Sequence, residues 1–337
     1  MKTIFHYLAR KEIRVADKIF KNWWEKVKSN YFQEFILLIV LLVLGTVFSI
    51  LTDTFLTIPN MLNVLLQISI IAILGFGVTI IIISAGIDLS LGSVMALVGM
   101  GTAAILTSSV PSISLSIMGG LLIGGVVGFV NGINVAYIHL PAFIATLAMM
   151  SIARGIALVV TNAIPIYNLP ESFLFLGSGF IWGIPTPIYV MLALFFILDF
   201  ILRSTKFGRY TYAIGGNEEA TRLSGINTNR YKLLVYIVGG ICTGVAGILF
   251  TARLGSGQPT AGAGYELDAI TAAILGGTNL FGGSGNLIGT LIGAFVMGVI
   301  NNGQALLNIS SYVQHIVRGI IVIIAVGIST FRYLSGK

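Results

Sequence analysis

Five ionisable residues, Asp88, Arg154, Glu266, Asp268 and Arg318, stand in segments that are otherwise almost free of charge. Between Asp53 and Arg154 the only formal charge is Asp88. An ionised side chain is costly inside a bilayer, so each of these is drawn to an interface, tied into a structural pair, or placed to handle a polar solute or ion. Amide and hydroxyl side chains gather in the same stretches: Gln67, Asn131, Asn134, Gln258, Thr260, Asn279, Asn301, Asn302 and Gln304. Many donors and acceptors with few charges suit a neutral polyhydroxyl solute. Hydrogen bonds between helices explain the same residues equally well. For a polar solute the candidate path is Gln67, Asp88, Asn131, Asn134, Glu266, Asp268, Asn279, Asn301 and Asn302.

Other chemistries lack their parts. No G-x-x-x-x-G-K-[ST] run occurs, so the chain has no phosphate-cradling loop of its own. No H-E-x-x-H occurs, and no set of His and Cys has metal-site spacing. His6, His139 and His315 are scattered, and Cys242 stands alone. No catalytic residue and no metal ligand is assigned, which disfavours an intramembrane enzyme.

The elements that must position these groups are membrane helices. Charged residues make up 9% of the chain and hydrophobic ones 56%, against about 25% charged in soluble domains. A span needs about 20 apolar residues. Continuous apolar runs lie near 35–52, 62–84, 89–108, 115–138, 142–161, 187–202, 232–253, 266–282, 286–306 and 313–331. A membrane β-barrel would alternate in segments of about 10 residues instead. The predicted fold is an all-α polytopic membrane protein with about ten transmembrane helices. The 266–282 run, rich in Gly and polar residues, is expected to be broken or re-entrant.

An internal repeat runs through these spans. GIDLSLGSVMALVGMG at 86–101 parallels GYELDAITAAILGG at 264–277, and LIGGVVGFVNG at 122–132 parallels LIGAFVMGVINNG at 291–303. The matches relate the third span to the eighth and the fourth to the ninth. That predicts a five-plus-five repeat whose halves have opposite orientation. The pairs Gly124/Gly128, Gly128/Gly132, Gly240/Gly244 and Gly289/Gly293 are read as tight helix packing.

Of the nineteen Lys and Arg, eight fall in residues 1–34 and six in 203–232. By the positive-inside rule both segments are cytoplasmic. The net charge of +7 is therefore a matter of topology, not of nucleic-acid binding. Ten spans place both termini and the 203–232 segment on one side. Residues 1–34 are expected to form a basic amphipathic arm in the headgroup layer, with Trp23 and Trp24 at the interface. Residues 35–331 form the transmembrane domain, and 332–337 a cytoplasmic tail. Residues 162–186 carry Pro165, Pro170 and Pro185 and almost no charge, and they read as the largest extracytoplasmic loop. Its aromatic residues Phe175, Phe180 and Trp182 suggest a half-submerged structure that serves as a gate or a docking surface, or is a plain surface loop.

The polar segment 203–232 contains a short helix with both ends specified. Asn217 can accept from an orphan N–H as N-cap. Glu218 and Glu219 occupy the first turn and Arg222 lies near the end, as the helix dipole favours. Gly225 can take the left-handed stop position. Such a short helix is unstable alone in water, so it leans on its own chain or on a partner.

GRYTYAIGGNEEATRLSGIN at 208–227 resembles the coupling loop of permease subunits of ABC importers, in the branch serving monosaccharides. The likeness continues through QPTAGAGYELDAITAAILGGTNLFGG at 258–283, NNG at 301–303 and SSYVQHIVRG at 310–319. GIDLSLGSVMAL at 86–97, PAFIATLAMMSIARGIALVVTN at 141–162 and GIPTPI at 183–188 also resemble that family, and within it the ribose type. The arm is longer than that family leads one to expect. The resemblance implies a bacterial inner-membrane protein in which two copies form the pathway. An ABC ATPase, often tandem-fused, docks underneath and binds ATP and Mg. An extracytoplasmic sugar-binding protein delivers substrate. It assigns ATPase coupling to Gly216, Asn217, Glu218, Glu219, Ala220, Thr221, Arg222, Leu223, Ser224 and Gly225, and no cofactor to this chain. Against it stands an ion-coupled secondary sugar transporter that uses Asp88 and Asp268.

Overall fold

The computed structural model describes residues 34–335, so the expected arm lies, but for Glu34, outside the described residues. In chain order its helices are α1 (Glu34–Leu51), α2 (Ile58–Ile83), α3 (Leu91–Leu106), α4 (Ile113–Ala136), α5 (Ala142–Val159), α6 (Glu171–Ser178), α7 (Thr186–Ser204), α8 (Lys206–Gly216), α9 (Glu218–Leu223), α10 (Thr228–Leu254), α11 (Tyr265–Leu275), α12 (Leu287–Leu306) and α13 (Ser311–Ser335). A two-stranded hairpin, β1 (Phe180–Ile181) and β2 (Ile184–Pro185), separates α6 from α7. The chain is thus an all-α polytopic membrane protein. Among the described residues, eight helices are long and apolar enough to cross a bilayer. The last helix continues to Ser335, so most of the expected tail is helical.

Two of the ten expected spans are short helices. α11 has 11 residues and stops at Leu275, ahead of an irregular Gly-rich stretch over 276–286. That is the expected break. α3 has only 16 residues and follows irregular chain over 84–90, at the gap expected between the runs 62–84 and 89–108. The local cause is steric. Ala85 takes a φ of 61°, a region costly for a residue with a Cβ, and a Cβ on Gly86 would meet the Tyr236 hydroxyl and the Ile81 side chain and carbonyl.

The two halves interlock. α2 packs against α11 and α12 of the second half, while α10 packs against α3 and α4 of the first; α2 and α10 meet at the centre. Every residue of α2 from Ile68 to Ile83 is buried. That is why this helix is apolar all round instead of along one stripe. The α4–α10 crossing brings backbone onto backbone. A Cβ on Gly124 would overlap the Gly240 carbonyl, one on Gly240 would overlap the Gly124 carbonyl, and one on Gly128 would overlap that of Tyr236. In α12, Gly289 and Gly293 lie in the same way against the Gly276 and Ala272 carbonyls of the α11 end. The small-residue pairs are packing seams within one bundle.

One end of the bundle carries α8 and α9. There Gly283 N donates to Ile83 O at 2.9 Å, Tyr212 Oη donates to Gly285 O at 2.8 Å, and Asn286 donates to Glu34 at 3.0 Å. The opposite end carries residues 160–185, tied to the α10–α11 loop by a bridge between Ile166 and Gly257. The expected loop over 162–186 is therefore structured. Its hairpin turn has positive φ at Trp182 and Gly183, as primed two-residue turns require. The Trp182 side chain stands 93% exposed at the tip.

Gly240→Val should lower the unfolding free energy in detergent by roughly 1–3 kcal/mol, because the seam has no room for a side chain. Gly327→Ala, at a position with no atom near the added Cβ, should change it by less than about 0.5 kcal/mol. Thermal unfolding of the two variants side by side checks the contrast.

Candidate functional site

The irregular segments over 84–90 and 255–264 both lead into the N-terminus of a short helix, and those two helix starts meet. A Cβ on Gly92, in the first turn of α3, would run into the Gly262 carbonyl and the Glu266 carboxylate at the start of α11. Each start carries a buried aspartate. Asp88 Oδ1 accepts from Ser90 N at 2.8 Å and from Ser90 Oγ at 2.6 Å. Asn131 of α4 donates to Ser90 Oγ at 3.1 Å and more distantly, at 3.5 Å, to Asp88 Oδ2. Asp268 accepts from Asn301 of α12 at 3.0 Å and from Arg318 Nε of α13 at 2.7 Å. Thus the two strings that match in sequence also match in chemistry. An aspartate at the short helix is bonded to an asparagine network on the long helix that follows.

Arginines from the outer helices hold the second start. Arg154 of α5 donates through Nη1 to Pro259 O at 2.7 Å and to Ala261 O at 2.8 Å. It satisfies carbonyls that an irregular chain leaves open. Arg318 is a structural ion pair with Asp268. Both arginines sit in the triplet Arg-Gly-Ile, at 154–156 and 318–320. Sharing the triplet does not give them equivalent places, since both arginines, one from each half, serve the second helix start. Glu266 accepts from Gly264 N at 3.1 Å and so caps the same helix start.

Other expected path residues lie elsewhere. Asn302 forms a reciprocal amide pair with Asn60 at 2.8 and 3.0 Å, so it serves as a helix-to-helix bond, and Asn60 is a partner that the sequence pattern does not single out. Asn279 closes the turn after α11 by accepting from Phe281 N at 3.1 Å. Gln67 lies on α2 and Asn134 near the end of α4, both partly buried. Of the nine, Asp88, Asn131, Glu266, Asp268 and Asn301 group around the two helix starts.

At the α9 end, the short helix is built as its sequence dictates. Asn217 Oδ1 accepts from Ala220 N at 2.9 Å, and Gly225 takes a φ of 82° just past the end. Gly216 belongs to the preceding helix α8. Thr221 faces inward, while Leu223 is 79% exposed. A groove of about 760 Å³ runs beside the helix, lined by His139, Glu218, Glu219, Arg222, Asn229 and Lys232 among others.

Against known proteins, residues 60–326 match the family profile described as branched-chain amino acid transport system / permease component. The chain belongs to this permease family. The match takes in both helix starts and α9. The permease is 46% identical to the ribose import permease protein of Escherichia coli K12, over 86% of this chain and 91% of that protein. It is 45% identical to the ribose import permease protein of Bacillus subtilis 168, over 85% and 89%. To the D-allose transport system permease protein of Escherichia coli K12 it is 38% identical, over 92% and 93%. No solved structure matches it.

In this permease, Arg318→Ala strands the Asp268 carboxylate in the interior. It should cost roughly 3–5 kcal/mol of stability, and adding Asp268→Leu should return most of the loss. Unfolding of the single and double variants in micelles measures both steps. A double variant no better than the single would contradict the pairing.

Proposed function

We propose that the chain is the membrane subunit of an ATP-driven importer for a monosaccharide, with D-ribose as the substrate, and that it draws its energy from a separate ATPase. The observation that carries the reading is the likeness, over most of both chains, to ribose import permeases of two distant bacteria. The site supports it. Around the two helix starts, hydroxyl and amide groups accompany the buried carboxylates. Such groups exchange hydrogen bonds with a polyol without demanding a charge on it. Two copies form the pathway in the bacterial inner membrane, with the α9 end and both termini cytoplasmic. An extracytoplasmic binding protein delivers the sugar, and the ATPase holds ATP and Mg.

The α9 segment fits the coupling role for a physical reason. Six residues cannot sustain a helix in water alone, and α9 presents Leu223 outward with polar neighbours around it. A protruding apolar residue within a polar rim is how a small docking element concentrates its binding energy.

In vesicles, the permease should move ribose against its gradient only with ATPase, ATP and binding protein present. Uphill uptake by the permease alone on an ion gradient would end this reading. Leu223→Asp should cut recovery of the ATPase on the permease by more than about tenfold, the loss expected for a buried anchor, with membrane insertion unchanged.

A further inference from the structure

Glu218 and Glu219 are neighbours with different duties. Glu219 pairs with Arg222 on its own helix at 2.6 Å, and both side chains are more than half exposed. Such a pair is a surface feature worth little to the fold. Glu218 points the other way and takes a bond from Lys232 Nζ, in the second turn of α10. The Lys232 side chain is only 19% exposed. Among the described residues this is the one side-chain hydrogen bond or ion pair that joins α9 to another helix. Its remaining attachments are the chain itself and the inward Thr221.

Lys232 is also where the second contact leads inward. Tyr236 lies one turn further along α10, on the same face, and is buried. Its hydroxyl donates to Ile87 O at 3.1 Å. Ile87 adjoins Asp88 in the irregular lead-in to α3. The two positions therefore join α9 at one side to the first helix start at the other, across a single turn of a helix clamped by the glycine seam on α4. A stiff rod of that length has little slack in which to absorb a displacement.

We propose that Lys232 is a positioning residue that, through Glu218, fixes α9 to α10, so that movement imposed on α9 reaches the α3 start by way of Tyr236. The inference rests on the importer reading and assigns Glu218 to the linkage, leaving Leu223 and its surroundings to meet the ATPase.

The test uses the complete transporter in vesicles, with ATPase and binding protein, and reads ribose moved per ATP hydrolysed beside the amount of ATPase retained. Lys232→Met and Glu218→Gln should each lower the ratio roughly fivefold, the effect of losing one partly exposed ion pair, with ATPase retention unchanged. The exchanged pair, Glu218→Lys with Lys232→Glu, should regain most of the ratio, which a loss of fold or of docking would not do. Tyr236→Phe should lower the ratio with both charges intact. A normal ratio in the single variants overturns the proposal. So does an exchanged pair no better than the worse single variant, or ATPase lost with Glu218→Gln, which would make Glu218 a docking carboxylate and leave the importer reading standing. Failure of the unaltered chain to retain ATPase would instead sink the importer reading, and the linkage with it.

Discussion

Irregular backbone has to be hidden from hydrocarbon. A bilayer offers nothing to an open N–H or C=O, so non-helical chain at membrane depth survives only where protein surrounds it and supplies the bonds. This permease holds two such lead-ins, 84–90 and 255–264, and much of its architecture answers to them. α2 and α10 occupy the centre because each walls the short helix of the other half. Glycine seams let backbones come close enough to leave no lipid-sized gap. Tyr236 serves the Ile87 carbonyl, Asp88 the Ser90 amide, Arg154 the carbonyls of Pro259 and Ala261, and Glu266 the Gly264 amide. Of the residues that suggested a solute path, Asp88, Glu266 and Asn279 thus serve backbone amides, while Asn131, Asp268, Asn301 and Asn302 bond other side chains.

That double use limits what sequence alone can reveal. Helix existence was legible, because apolar runs of span length have few alternatives, and α9 was legible because its cap, first-turn acids and terminal glycine agree. The break after α11 was visible in its glycines. The break before α3 was marked as well, by the gap between the runs 62–84 and 89–108; its contact with Tyr236, 150 residues downstream, was not. The hairpin was hidden for a related reason. A tryptophan at positive φ runs against turn preference, and its neighbours hold it there, among them Tyr189, whose hydroxyl donates to Ile181 O. The partner of Glu218 lies past the glycine stop, on the next helix, where no helical periodicity points to it. The shared Arg-Gly-Ile triplet did not foretell that both guanidiniums, one from each half, attend the second helix start.

The halves are alike in plan and unlike in strength, and the difference bears on how the molecule can move. The second helix start is held by formal charges: Arg318 on Asp268 from one side and Arg154 on two carbonyls from the other. The first is held at Asp88 by neutral donors alone, a serine and an asparagine that reaches the carboxylate only at 3.5 Å. Between Arg318 and Asp268 a charge on each partner adds a Coulomb attraction that the neutral donors at Asp88 lack, and removing water strengthens it. A load applied across the bundle therefore meets a stiff side and a compliant one. The compliant side is the one that Tyr236 touches, on the helix that receives Glu218 from the polar segment. Repetition supplied two equivalent helix starts; the unequal choice of partners around them decides which yields first.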